Sequence, residues 1–183
     1  MSEKKILTLE ERIEHHRKMA YSYYSAYDKK AVKDGSTYDE WVFADDAKYW
    51  SPYFGDNVID LKTYPITVQG SATMEALTYS LTLPDWKPLG FHCWPSDNGF
   101  VMQSHFGGHT ADGELKDFYA YGFVETNEYG EITRWETHVS PEYNNFLDLT
   151  IGVHGPFKDG PEAYMKAVMA KLTSAGINVQ NYL

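Results

Sequence analysis

The sequence predicts an α+β fold, with N-terminal helices laid against a mixed or antiparallel sheet, and three observations support it. Four strand-like runs follow one another at 89–94, 100–106, 115–126 and 131–139, separated by short turn-rich segments, and neighbouring strands spaced in this way form an antiparallel meander. Ahead of them, Thr8 and Glu11 make a capping-box pattern before a run at helical spacing. Behind them, Pro161 opens a helical run with Ala163, Ala167, Val168 and Leu172 on its apolar side, and Gly176 closes it.

Taken in order, the first helix is expected over about 9–33, with Leu9, Ile13, His16 and Ala20 in one stripe and Gly35 as its stop. Its second half, YSYYSAYDKK, spreads tyrosines over more than one face, so at least one points inward. Thr37 and Glu40 repeat the capping pattern, which makes YDEWVFADDA a short helix burying Trp41 and either Phe43 or Val42. Ala47–Trp50 reads as the first strand, stopped by Ser51 and Pro52. From Tyr53 to Gln69, a loop with one short strand near 66–68 is placed to act as a lid. Gly70 and Ser71 open a helix over 72–83 that Pro84 ends. Asn127–Gly130 is a hairpin loop whose glycine supplies the positive φ such a turn needs. Between 140 and 160 the periodicity weakens. A length of 183 residues suits one core, hence a single domain over 1–183 with a flexible start (1–8) and a C-terminal extension (141–183) carrying the final helix.

A net charge of -10 and a pI near 5.1 argue against nucleic acid as a partner, because phosphate binding draws on clustered Lys and Arg. Cys93 is the single cysteine, so no intrachain disulfide forms. No apolar run approaches the roughly 20 residues of a membrane span, and the start MSEKKILTLEER is polar, so no membrane partner and a soluble, cytoplasmic protein are expected. Phosphate-cradling loops, dinucleotide fingerprints and nucleophile elbows are missing from the sequence. Aromatic residues reach 16%, with 15 Tyr and 5 Trp, enough rings with polar tips to line a cavity.

The chemistry-bearing residues concentrate between 92 and 138. Alternation along 116–126 puts Asp117, Tyr119, Tyr121 and Phe123 on one strand face. There, an acid beside an aromatic wall could serve as a general base. His105, on the preceding run with Gln103, could be its partner, since imidazole titrates nearest neutrality; it could equally be a satisfied core histidine. His92 shares a face with Trp94 and could point to the same cavity, whereas His138, beside Arg134 and Glu136, reads as an outer face or a subunit contact. His105 and His109 are four apart, but Gly107 and Gly108 make that stretch a loop, so no metal site is expected. Cys93 reads as a buried, inert thiol.

The stretches EWVFADDAKYWSPYFG and GFVETNEYGEITRWETHVSPE, with this order of elements, resemble the NTF2-like superfamily over about residues 10–150. Within it the chain is most similar to the SnoaL-like polyketide cyclases and the phenazine-biosynthesis proteins. The resemblance implies an NTF2-like cone: helices packed on a strongly curved mixed sheet enclosing a deep apolar pocket. It also implies acid–base chemistry on small cyclic molecules without a cofactor, and a homodimer or higher homo-oligomer paired through the exposed sheet face. In ketosteroid isomerases the base precedes the Pro after the first strand, a position held here by Ser51. Their oxyanion tyrosine, on the first helix, corresponds to Tyr23 or Tyr24. Asp117 stands near the place of the phenazine-type glutamate, while the histidine those proteins carry on the helix after the first strand has no match in MEALTYS. SnoaL-like cyclases pair an Asp with a His of the next strand, which Asp117 and His105 could reproduce. Tyr24, Tyr49, Trp50 and Tyr53 would ring the pocket mouth, with Trp94, Tyr119 and Tyr121 completing the contacts to a small aromatic substrate.

The expected function is a cofactor-independent lyase or isomerase for a phenolic or polycyclic molecule, with dehydration or deformylation of a two-ring lignin-type fragment favoured. Asp117, His105, Tyr24 and His92 are its candidate catalytic groups. A polyketide-type cyclase and a non-catalytic binding module are the alternatives.

Overall fold

The computed structural model describes residues 4–28 and 41–183. Helix α1 (Leu9–Ala26) begins where the capping pattern places it: Glu11 N–H donates to the Thr8 hydroxyl at 3.3 Å, and the Glu11 carboxylate accepts from Thr8 N–H at 2.9 Å. Such a box stabilises a helix start by about 1 kcal/mol. The expected continuation to residue 33 lies partly outside the described residues, as does the start of the short helix expected after Thr37. The rest of that helix is corrected: residues 41–42 carry no helix, and β1 (Phe43–Trp50) begins at once. The misreading has a physical source. β1 pairs in parallel with β6 (Ile132–Val139), and its register shifts between Phe43 and Lys48. This irregularity leaves Asp45 and Asp46 both outward between buried Ala44 and Ala47, so the period-two signature is broken.

A single turn of 3-10 helix (Pro52–Phe54) leads to β2 (Val58–Asp60), antiparallel to β1. The short strand therefore lies earlier than the expected 66–68, a stretch that instead supplies the cap of α2 (Val68–Thr82), where the Thr67 hydroxyl accepts from Gly70 N–H at 3.0 Å. The meander is as expected: β3 (Lys87–Pro95), β4 (Gly99–His109), β5 (Leu115–Thr126) and β6 run antiparallel, giving the sheet order β2-β1-β6-β5-β4-β3. Gly130, at φ +77, turns the chain into β6, and a side chain there would also strike the His15 ring. Helix α3 (Tyr143–Thr150), not foreseen from the sequence, and α4 (Glu162–Ser174) follow.

Helices α1 to α4 lie on one sheet face. The core beneath them is aromatic: Trp86 lies 4.9 Å from Tyr79 and 5.3 Å from Phe146, and Phe118 lies 4.8 Å from Phe146. α1 is pinned by His16, fully buried, whose Nδ1 meets the Ser96 carbonyl at 2.9 Å and whose Nε2 meets the Thr126 hydroxyl at 2.8 Å. A carbonyl only accepts, so Nδ1 carries the proton and Nε2 accepts from Thr126. None of the helices among the described residues is long and apolar enough to cross a membrane.

Burial holds the His16 imidazole below its ordinary pKa, so the unfolded chain binds the extra proton more readily. Stability from this residue is complete above about pH 6.5 and declines as the pH falls below it. Thermal unfolding between about pH 7.5 and 5.5 should show a falling Tm, with a shallower fall in His16→Gln; equal slopes would remove His16 from the acid sensitivity.

Candidate active site

The pleat of β5 decides which residues meet the helices. Phe118, Ala120, Gly122 and Val124 are buried beneath them, so Asp117, Tyr119, Tyr121 and Phe123 take the opposite face. The same holds on β4, where Phe100, Met102, Ser104 and Phe106 are inside and Gln103 and His105 outside. Between the inner face and the helices lies a cavity of about 120 Å³. Tyr23 of α1 and Tyr27 at its C-cap, Tyr49 of β1, Trp135 and Thr137 of β6, Tyr143 of α3, and Tyr164 and Met165 of α4 contribute to its wall, together with Glu75 of α2.

Glu75 is the one charged residue of α2, set in the run ATMEALTYSL. Its Oε2 accepts from the Tyr27 hydroxyl at 2.9 Å and its Oε1 from the Ser71 hydroxyl at 3.2 Å, one helical turn back. Desolvation by the surrounding aromatic wall lifts the carboxyl to about 7, although hydrogen bonds from Tyr27, Tyr164 and Ser71 pull it down. The hydroxyls continue beyond it: Tyr164 lies 2.7 Å from Tyr79 and 3.3 Å from Tyr143, and Tyr79 lies 3.2 Å from Tyr143. On the other side Tyr23 lies 3.4 Å from Tyr27. Burial raises the pKa of Tyr23, Tyr49, Tyr79, Tyr143 and Tyr164, and that of Tyr53 and Tyr64 to about 12. All are therefore neutral donors. One carboxyl poised near neutrality, ringed by hydroxyls that keep their protons, can take up a proton and steady the oxyanion that results. In the cavity wall, Trp135 Nε1 is buried with no hydrogen-bond partner among the described residues, a deficit costing about 1–3 kcal/mol.

Of the residues singled out from the sequence, Tyr49 and Tyr53 line the cavity, and the Tyr53 hydroxyl donates to Asn144 Oδ1 at 2.6 Å. From the pair Tyr23 and Tyr24, the cavity takes Tyr23; Tyr24 packs on Phe91 at 5.0 Å and Phe106 at 6.0 Å instead. Asp117 and His105 do meet, at 2.6 Å, with the imidazole stacked on Tyr119 at 4.2 Å, but on the outer face of the sheet. His92, stacked on Trp94 at 5.8 Å, and Tyr121, hydrogen-bonded to Gln103 at 3.2 Å, share that outer face. Trp50 donates to the Gly55 carbonyl at 3.0 Å and meets the His138 ring at 5.9 Å. Asp117, His105, Tyr119, His92, Trp94, Tyr121, Trp50 and Tyr24 do not line the cavity. His109 pairs with Asp85 at 2.7 Å rather than with His105, and among the described residues no three His, Cys, Asp or Glu are placed to share a metal ion.

Glu75 is not among the residues singled out from the sequence. The available signal was a single carboxylate inside an otherwise uncharged helical run, a placement that burial makes expensive unless the group is used.

No family model matches the chain, and no curated protein matches it. Solved structures similar to it include a phenazine biosynthesis-related protein from Pseudomonas aeruginosa, 13% identical over 78% of this chain and 88% of that one at a TM-score of 0.46. An NTF2-like protein of unknown function from Cytophaga hutchinsonii is 12% identical over 70% and 99%, at 0.48. A protein with a ketosteroid isomerase-like fold from Catenulispora acidiphila is 13% identical over 72% and 91%, at 0.43. At this level the likenesses assign neither activity nor ligand.

Raising a carboxyl from its ordinary 4.5 to about 7 on folding makes ionisation above pH 7 a stability loss of up to about 3 kcal/mol. The unfolded chain sheds its proton first, so this loss grows as the pH rises from about 4.5 through 7. Glu75→Gln should therefore raise Tm, and by more at pH 8 than at pH 5; an equal effect at both would mean the carboxylate is solvated.

Proposed function

We propose that the protein is an acid–base enzyme acting on a small aromatic or phenolic molecule held in the cavity, with Glu75 as the proton-transfer group. The observation that carries this reading is the carboxyl itself: half-buried in the cavity wall, poised near neutrality, and held by hydroxyl donors. Isomerisation, cyclisation and elimination all begin with the proton abstraction such a group performs. A lyase reaction on a phenol fits the tyrosine-rich wall. The ionised carboxylate takes the phenolic proton, and the ring electrons expel the benzylic hydroxide, which leaves as water on receiving that proton back. The quinone methide so formed accepts the electron pair released when an adjacent hydroxymethyl group gives its hydroxyl proton to the carboxylate and departs as formaldehyde. Tyrosine hydroxyls stabilise the charge on the phenolic oxygen until it is dispersed.

The outer sheet face supports a second element of the proposal, a homodimer. Trp94 is 56% exposed, Phe123 44% and Tyr119 37%, a contiguous apolar surface of the kind that marks an interface. The pair of Asp117 and His105 then belongs to that interface rather than to the chemistry.

A screen of phenolic and cyclic-ketone compounds, followed by absorbance and mass spectrometry, supplies the assay. Glu75→Gln is expected to lower kcat/KM by about two to four decades, and the wild-type rate should rise with pH through about 7 as the base ionises. Asp117→Asn and His105→Ala should leave the turnover number close to the parent's. Loss of turnover in those two variants with retention in Glu75→Gln would move the chemistry to the outer face. Phe123→Lys should shift the sedimentation coefficient to that of a monomer; an unchanged value would place the partner elsewhere.

A further inference from the structure

A cavity built around Glu75 also restricts what can enter, and we propose that it accepts one uncharged, oxygen-bearing six-membered ring, such as a phenol or a cyclic enone, and turns away the corresponding anions. This inference rests on Glu75 being the working group of the site and extends it to substrate class.

Size comes first. The cavity measures about 120 Å³, somewhat less than the roughly 150 Å³ of an apolar cavity that encloses benzene. One ring fills it. A second ring of a two-ring substrate has to stay outside the enclosed space.

Charge comes second. Among the described residues lining the cavity, Glu75 is the single group that ionises near neutrality, and Lys, Arg and His do not occur there. An anion inside would face a like charge among aromatic and apolar side chains with no counter-ion, where Coulomb repulsion is stronger than in bulk solution. A neutral oxygen meets the opposite situation. The hydroxyls of Tyr49 and Tyr64 keep their protons, and the ionised Glu75 can accept from a substrate hydroxyl. Because Glu75 changes charge near neutrality, exclusion of anions should itself depend on pH, weakening as the carboxyl gains its proton and can donate a hydrogen bond.

The test is calorimetric titration of the intact protein with 4-methylphenol, benzoate and 4-phenylphenol at about pH 6 and pH 8.5, using wild type and Glu75→Gln. At pH 8.5 wild type should bind 4-methylphenol about tenfold or more tightly than benzoate. Benzoate, ionised at both pH values, should bind wild type more tightly at pH 6, and Glu75→Gln equally at both. The second ring of 4-phenylphenol should add little affinity. Benzoate binding as tightly as 4-methylphenol to wild type at pH 8.5, or a pH dependence that survives in Glu75→Gln, overturns the charge assignment. A large gain from the second ring overturns the size assignment. The readout involves no turnover, so a failure of the catalytic reading shows separately, as unchanged turnover in Glu75→Gln with the charge-dependent binding intact.

Discussion

The structure depends first on an uninterrupted ladder between β4 and β5, which keeps one register from Gly99 opposite Glu125 to His109 opposite Leu115. A pleated strand sends alternate side chains to opposite faces. Once this register is set, Phe106, Phe118 and Ala120 must meet the helices, and His105, Asp117 and Tyr119 must not. Slipping one strand by a residue would turn its polar set, His105 on β4 or Asp117 on β5, toward the helices and expose its core phenylalanines. The helices, the cavity and the outer face all follow from that parity.

Helices α1 and α2 could have sealed the inner face completely. A cavity remains beneath the helices, and α2 faces it with a carboxylate where a core helix would ordinarily carry a hydrophobe. Burying an acid without a hydrogen-bonding environment is strongly unfavourable, and the compensation here comes from tyrosines contributed by several elements: Tyr27 from α1, Tyr164 from α4, with Tyr79 and Tyr143 linked behind them. The rings contribute apolar burial and the hydroxyls contribute polarity, so one residue type satisfies both demands of the site. The carboxyl is held, but short of full stabilisation, and this leaves it close to neutrality.

Much of this was legible in the sequence. The meander, the capping box at Thr8, the helix ended by Pro84 and the last helix all carry local signals that tertiary packing did not override. β1 was partly hidden, since its irregularity sets Asp45 and Asp46 side by side and imitates a helical pattern. α3 was hidden by its length of eight residues, too short for a convincing period. The parity of β5 was the costlier misreading. Both alternations along DFYAYGFVET contain aromatics, and the tyrosines with the acid suggested a pocket. The better guide was the other set, Phe118, Ala120, Gly122 and Val124, which carries no polar atom in its side chains and so belongs inside. Glu75 carried a signal of its own, as the single acid of an otherwise uncharged helix.

The close approach of α2 to residues 179–182 has a consequence for the cavity. Gly70 lies so near the Tyr182 carbonyl that an added Cβ would sit 2.0 Å from it, and Tyr143, Tyr164 and Met165 close the cavity from the same late part of the chain. Because residues 143–182 wall the cavity on this side, undocking them would open it and return Glu75 to water, so the raised proton affinity of the carboxyl reports whether α3 and α4 are packed in place.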